Sequence, residues 1–269
     1  MTFSFIDPWH DFLPREGGHV VSFMGSGGKT SLQLLVADIY EQEHVQTVLT
    51  NTTLCEVLPE VLAVPWNDLK QREAGEWPAK IYVHAGEDEQ GKWRGLTGEQ
   101  VDQLAELLPD RVALVEVDGA RKMPLKIYRS GEPVWPERTS LAFVVLGVGA
   151  VGCKVEESVH RWGSKTLPGL ENLRGDSVME WRHLQTLLQA EGGYMAQLPV
   201  GVPAVLVLAG LSDQDDTIGL FEFVGQAMAD PRLPLVVFCS RSVSEQASGA
   251  SPTESWDMRT AAVDSPERS

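Results

Sequence analysis

Apolar residues along this chain gather into short unbroken runs, separated by stretches in which they recur every three or four positions. The runs are HVVSFM (19–24), VQTVLT (45–50), KIYVHAG (80–86), RVALVEVDG (111–119), SLAFVVLGVG (140–149), AVLVLAG (204–210) and PLVVFCS (234–240). Runs that are apolar at consecutive rather than alternate positions predict strands covered on both faces, as in a parallel sheet. Between them, Leu32, Leu35, Val36 and Ile39 predict a helix from Lys29 to about Glu43. Val101, Leu104, Leu107 and Leu108 predict a helix over 98–108, and VMEWRHLQTLLQA predicts one over 178–190. An Asp-rich turn and a helix fill 211–229. Strand and helix alternate, so the expected fold is α/β: a mostly parallel open sheet with helices on both faces and right-handed crossovers.

The chain of 269 residues has room for one large domain or two small ones. Its pattern divides it into an N-terminal arm (1–18) ending at Glu16-Gly17-Gly18, an α/β domain (19–240) and a tail (241–269). The tail is rich in Ser, Pro, Glu and Ala with few apolar anchors, and is expected to be disordered and acidic. The formal charge is −16, and residues 242–269 carry −3 of it, so the acidity belongs to the domain itself. Such a surface repels phosphate backbones and anionic lipid, which argues against nucleic-acid and membrane partners. No apolar run approaches the roughly 18 residues a membrane helix needs. The acidic N-terminus has no signal-peptide pattern, and the expected location is the cytoplasm. Cys55, Cys153 and Cys239 are far apart and expected to be reduced.

The first βα turn reads Gly25-Ser26-Gly27-Gly28-Lys29-Thr30-Ser31. It follows a strand and opens a helix, the context that makes such a string a phosphate-loop candidate and the fold P-loop NTPase-like. Glycines let backbone N–H groups converge on an anion, and the helix N-terminus adds its positive dipole end. In that reading Lys29 reaches the β and γ phosphates of ATP or GTP, and Thr30 ligates Mg²⁺. Only the second half of the G-x-x-x-x-G-K-[ST] pattern is present, since Phe23 stands where its first Gly would be. A glycine-rich turn with a solvated Lys is the plainer alternative.

Two further strand ends carry candidate chemistry. Thr50-Asn51-Thr52-Thr53 closes the second strand, where hydroxyls face either a ligand crevice or their own turn. The strand at 111–119 ends in Glu116-Val117-Asp118-Gly119, and alternation puts the two carboxylates on one face. Asp118 is the candidate Mg²⁺ partner of Thr30, and Glu116 the candidate base. Arg121, Lys122 and Lys126 follow at once. Basic residues beside an acidic strand end, in so acidic a chain, suggest an anionic ligand or else a solvated loop. His160 and Arg161 fit either an oxyanion contact or a helix-end pair. Gly147, Gly149 and Gly152 do not form a dinucleotide fingerprint. Trp66, Trp77 and Trp93 are expected to pack a loop or cover the site.

GSGGKTS, TNTT, VEVDGAR with PLK and EPVWP, and VVLGVGAVGCKVEESVHR occur in this order. Together they resemble the selenium-dependent hydroxylase accessory proteins, also called selenium cofactor biosynthesis proteins, over roughly residues 17–240. The resemblance implies a P-loop nucleotide-binding protein that serves maturation or insertion of a selenium/molybdenum cofactor of molybdenum hydroxylases. Its partners would be nucleotide and a molybdenum hydroxylase or cofactor-biosynthesis protein. The motif positions it carries over are Gly25, Gly27, Gly28, Lys29 and Thr30; Thr50, Thr52 and Thr53; Glu116, Asp118, Gly119, Ala120, Arg121, Pro124, Leu125 and Lys126; and His160 with Arg161.

Two departures stand out. Asn51 interrupts the Thr run, and the stretch after AVLVL reads Ala209-Gly210-Leu211-Ser212-Asp213, without the Asn-Lys-x-Asp element that reads guanine in GTP-binding folds. Three functions stay open: a nucleoside triphosphatase accessory protein, a small-molecule phosphotransferase, and a non-catalytic nucleotide-binding chaperone.

Overall fold

The structure, a computed structural model, describes residues 12–69, 77–211, 217–233, 235–243 and 254–261. The chain runs β1 (Val20–Gly25), α1 (Lys29–Gln42), β2 (Gln46–Asn51), β3 (Leu62–Pro65), α2 (Trp66–Leu69) and β4 (Lys80–His84). It continues through α3 (Gly98–Leu107), β5 (Arg111–Glu116), β6 (Leu125–Lys126), β7 (Thr139–Gly147), α4 (Val155–Ser158) and β8 (Val159–His160). Then come α5 (Trp181–Gln189), β9 (Ala204–Leu211), α6 (Thr217–Ala227), β10 (Leu235–Val243) and β11 (Glu254–Ala261).

Among the described residues the main sheet has nine strands, in the order β11-β10-β9-β7-β1-β5-β2-β4-β3. Every neighbouring pair is parallel except β10 with β11. The expected α/β architecture is the observed one. Successive residues of each strand feed opposite cores, which is why the strands read as unbroken apolar runs. Val21, Phe23, Leu49, Leu114 and Phe143 pack with Leu32, Val36 and Tyr40 of α1 on one face. Val20, Met24, Val48, Val115 and Val144 pack with Leu104 of α3, Leu184 of α5 and Phe223 of α6 on the other.

The α1 helix is pinned to the sheet by a buried amide. Gln33 Nε2 donates to the carbonyls of Thr50 (2.9 Å) and Leu114 (2.8 Å), tying α1 to β2 and β5 at once. At the start of α3 the Thr97 hydroxyl accepts the Gln100 N–H at 3.1 Å, while Gln100 Oε1 accepts the Thr97 N–H at 2.9 Å. That reciprocal pair satisfies donors a helix start leaves open.

Strand order marks the end of the sheet where a ligand crevice is expected. β1 is central, between β5 and β7. The strands that precede β5 fan out beyond it, and those that follow β7 fan out on the other side. The chain order therefore reverses at β1, and the crevice beyond its carboxyl end is where open α/β sheets hold ligands.

Some features differ from the pattern-based expectation. β3 has only four residues, too few for periodicity to register. The parallel pair β6–β8, in register Leu125↔Val159 and Lys126↔His160, is two residues long and equally silent in sequence. The strand predicted over 111–119 stops at Glu116, after which the chain turns into the site. Trp66 and Trp93 are buried, and Trp93 packs against the Tyr82 and His84 rings. Much of the expected tail lies outside the described residues; within it, the backbone of 254–261 pairs antiparallel with β10. Residues 1–11 of the expected arm also lie outside, while Leu13 is buried and Pro14 accepts the Tyr40 hydroxyl at 2.7 Å.

Candidate functional site

The glycine loop is shaped by backbone that only glycine adopts freely. Gly25, Gly27 and Gly28 have φ of 105°, 86° and 132°. The fit is close as well as left-handed. A Cβ on Gly25 would lie 2.1 Å from the Val145 carbonyl oxygen, and one on Gly27 would lie 2.5 Å from the Gly147 Cα. The Ser26 N–H donates to the Val145 carbonyl at 2.9 Å, so β7 braces the loop. Gly28 is the N-cap of α1, which has no side-chain cap and no acidic residue in its first turn. Both features leave the positive end of α1 open to an external anion.

Lys29 turns inward beneath this loop. Its Nζ donates to the Gly25 carbonyl at 2.7 Å and stands 3.3 Å from Glu116 Oε1 and 3.2 Å from Asp118 Oδ1. Burial opposes its charge, but the two carboxylates more than compensate and hold its pKa above the usual lysine value. The Thr30 hydroxyl donates to Glu116 Oε2 at 2.7 Å.

The two carboxylates differ in what remains of them. Asp118 has no exposed surface and is engaged by the Gly25 N–H (3.0 Å), Lys29 and Lys126 (3.3 Å). Glu116 keeps 14% of its side chain exposed and shares its rim with Thr30.

Beyond Asp118 lies a second group of charges. Lys126 Nζ reaches Asp118, Glu132 Oε2 (3.2 Å) and the Gly119 carbonyl (2.8 Å). Its burial lowers its pKa against the pull of Asp118 and Glu132. Arg161 forks onto Glu132 with 2.6 and 3.0 Å hydrogen bonds. Glu132 is itself enclosed, yet Arg161 and Lys126 bring its pKa down to about 2. His160 is half-buried, and its pKa is lowered first by burial and then by Arg161, Lys126 and Arg121. Arg121 is exposed.

The sequence-predicted residues thus fall into distinct places. Lys29, Thr30, Glu116 and Asp118 meet around the loop. Lys126 and Arg161 meet on Glu132, the Lys126↔His160 register sets His160 beside them, and Arg121 acts electrostatically on His160. Thr52 bonds the Glu116 carbonyl through its N–H (2.9 Å), and Thr53 Oγ1 lies beside Gly119. Thr50 faces away, donating its hydroxyl to the Val83 carbonyl at 2.7 Å. Ser31 lies in the first turn of α1. Asn51 braces the turn: its amide donates to the Thr53 carbonyl, while its Oδ1 accepts the Tyr82 hydroxyl at 2.7 Å. Glu132 is the central residue that sequence reasoning missed. It stands inside EPVWP, where the two prolines rather than the acid draw attention. Among the described residues no group of three or more His, Cys, Asp or Glu is arranged to hold a metal, so a cation here would need phosphate or water oxygens to complete its shell.

A family described as YqeC protein matches residues 21–163, just over half of the chain. The chain belongs to the YqeC family. The matched span holds the glycine loop, both carboxylates, Lys126, Glu132 and the His160-Arg161 pair. The chain is also 29% identical over 215 residues to a relative from Escherichia coli (strain K12) described as uncharacterized protein YqeC, covering 76% of this chain and 81% of that one. No solved structure matches. Among the described residues, no helix is long and apolar enough to cross a membrane.

Proposed function

We propose that this YqeC-family chain binds a nucleoside triphosphate with Mg²⁺ at the Gly25–Ser31 loop, and that this binding serves maturation or insertion of a selenium/molybdenum cofactor of molybdenum hydroxylases in the cytoplasm. The observation that carries the nucleotide reading is Lys29, a buried cation held by two carboxylates at the foot of an uncapped, glycine-shaped helix start. The carboxylates offset the cost of burying Lys29, and the uncapped start of α1 beside it leaves backbone donors for an anion. The cofactor reading rests on the ordered motifs that resemble selenium cofactor biosynthesis proteins, and on nothing finer.

In this reading the loop N–H groups and the α1 dipole hold the β and γ phosphates. Lys29 moves from the carboxylates to the phosphate oxygens. Thr30 and Glu116 present the two oxygens best placed for Mg²⁺, because Glu116 is at the rim while Asp118 is spent on Gly25, Lys29 and Lys126. Asp118 then acts by positioning both lysines. Bound Mg²⁺ would neutralise developing charge on the phosphates; positioning and electrostatics by the chain's own residues would do the rest.

Calorimetry with ATP and GTP, with and without Mg²⁺, tests the binding. Saturable triphosphate binding that disappears in a folded Lys29→Ala variant is expected. Equal affinity in that variant would remove the loop from the reading. Turnover assays with and without an acceptor then separate a triphosphatase from a phosphotransferase.

A further inference from the structure

The buried carboxylate of Asp118 divides two cationic compartments. Its Oδ1 faces Lys29 at 3.2 Å and its Oδ2 faces Lys126 at 3.3 Å. The loop compartment has the use proposed above. The one behind Lys126 does not.

That second compartment is built from two turns. Arg121 and Lys122 are the middle of the turn closed by Met123 N–H to the Ala120 carbonyl at 3.0 Å, and both have left-handed backbone, φ 49° and 62°. Arg161, at φ 63°, directly follows β8. Short turns of this kind ordinarily take Asn or Gly; here each carries a long cation. The parallel register Lys126↔His160 brings the two turns together. Arg121, Lys126 and Arg161 all act electrostatically on His160, and Glu132 is the carboxylate that opposes them. Around His160 the cations Arg121, Lys126 and Arg161 outnumber the carboxylate Glu132, in a chain of net charge −16. Lys126 and Arg161 are already committed to Glu132, whereas Arg121 is exposed and His160 only half-buried.

We propose that Arg121, His160 and Arg161 form a second anion site, separate from the glycine loop, that takes a small tetrahedral oxyanion of the phosphate class. The half-buried imidazole and the guanidinium of Arg161 supply donors at the floor, Arg121 closes over the rim, and Lys126 supplies charge from behind. Glu132 acts as a placeholder that keeps Arg161 extended towards the site. This site adjoins the proposed triphosphate site, and as its neighbour would hold the second substrate or a released product. It shares Asp118 with that site, so filling one changes the partner balance of the other, and such linkage is reciprocal. Only this assignment of the anion's role depends on the nucleotide reading; the site itself does not.

The test follows the His160 ring protons by NMR in the full-length protein, titrated with inorganic phosphate at constant ionic strength set by chloride. A bound phosphate favours the imidazolium form, countering the neighbouring cations, so the His160 midpoint is expected to rise by at least half a pH unit. The rise should persist in Lys29→Ala and vanish in Arg121→Glu, whose exposed position leaves the fold intact. Arg121→Lys should restore part of it. A midpoint that does not move with phosphate overturns the proposal, as does a shift lost in Lys29→Ala but kept in Arg121→Glu, which would assign all anion binding to the loop. Failure of triphosphate binding with a persistent phosphate effect on His160 would instead strike the nucleotide reading and leave this site standing.

Discussion

Lys29 Nζ and Asp118 Oδ1 stand 3.2 Å apart with essentially no access to water, one at the start of α1 and the other just past β5. The pair joins the glycine loop to the strand beside it. It also explains why the Asp is followed so closely by a second lysine: Asp118 accepts from Lys29, Lys126 and the Gly25 N–H together. A carboxylate in such surroundings is a structural hub as much as a ligand for anything that enters.

The two partners of this pair should therefore fail differently. Lys29→Ala leaves Asp118 with Lys126 and the Gly25 N–H, so its main loss should be triphosphate binding. Asp118→Ala takes one carboxylate from each of two buried ammonium groups, leaving Lys29 with Glu116 and Lys126 with Glu132, and the cost should approach the roughly 3–5 kcal/mol of breaking a buried pair. Denaturant melts are expected to show the Asp118→Ala protein much the less stable. Equal stability of the two variants would refute the hub.

The sheet and its order of elements were legible because apolar runs and helical periods are long-range regularities. The loop was legible because Gly25, Gly27 and Gly28 sit between a strand and a helix. The role of each carboxylate was not. Alternation places Glu116 and Asp118 together, but only packing reveals that Asp118 is sealed and Glu116 is at the rim. Glu132 was missed for a related reason: its partners Lys126 and Arg161 are 6 and 29 residues away, joined through a β6–β8 pair too short to show in sequence.

Glu116 carries the metal prediction. It holds the Thr30 hydroxyl at 2.7 Å and is the more exposed of the two acids. Glu116→Gln should reduce the Mg²⁺-dependent part of triphosphate affinity by about tenfold, or roughly 1.4 kcal/mol, while changing the Mg²⁺-free part little. Calorimetry with Mg²⁺ and with a chelator separates these. An unchanged Mg²⁺ increment would move the metal role elsewhere.

The Glu132 contacts set a pH dependence. Its pKa is about 2 in the folded chain, against 4.5 ordinarily, because Arg161 and Lys126 overcome the cost of its burial. A depressed carboxyl pKa adds stability above its unfolded value and loses it as pH falls through the folded one. The contribution is therefore complete above about pH 4.5 and fades towards pH 2; its size is at most about 3 kcal/mol, reduced by solvent screening. Urea melts should show a steeper loss between pH 5 and 3 for the wild-type chain than for Glu132→Gln, which starts less stable.

Base choice should be weak. In GTP-binding folds with an Asn-Lys-x-Asp element, the Asp accepts hydrogen bonds from guanine that adenine cannot donate. Here Ala209-Gly210-Leu211-Ser212-Asp213 lacks the Asn and the Lys, and Ser212 and Asp213 lie outside the described residues. A preference for GTP over ATP below about tenfold is expected, under about 1.4 kcal/mol, with the phosphates supplying most of the affinity. A competition titration giving a hundredfold preference would defeat this.

Two glycines two residues apart should respond very differently to the same substitution. Gly147, the last residue of β7, donates its N–H to the Pro124 carbonyl at 3.0 Å and lies directly beneath Gly27. A Cβ there would sit 2.7 Å from the Pro124 carbonyl oxygen and from its Cβ, contacts that only a backbone shift relieves. That shift moves Pro124 and the glycine loop together, because Gly27 packs on both. Gly149 has nothing within 4 Å of where its Cβ would be. Gly147→Ala should lower stability by about 1–3 kcal/mol, the usual range for overpacking, and weaken triphosphate binding although residue 147 touches no phosphate. Gly149→Ala should stay within about 0.5 kcal/mol of wild type and bind normally. Melting curves and calorimetry on the pair provide the comparison. If both variants bound triphosphate as well as wild type, the close packing of Gly27, Pro124 and Gly147 would not be what shapes the loop.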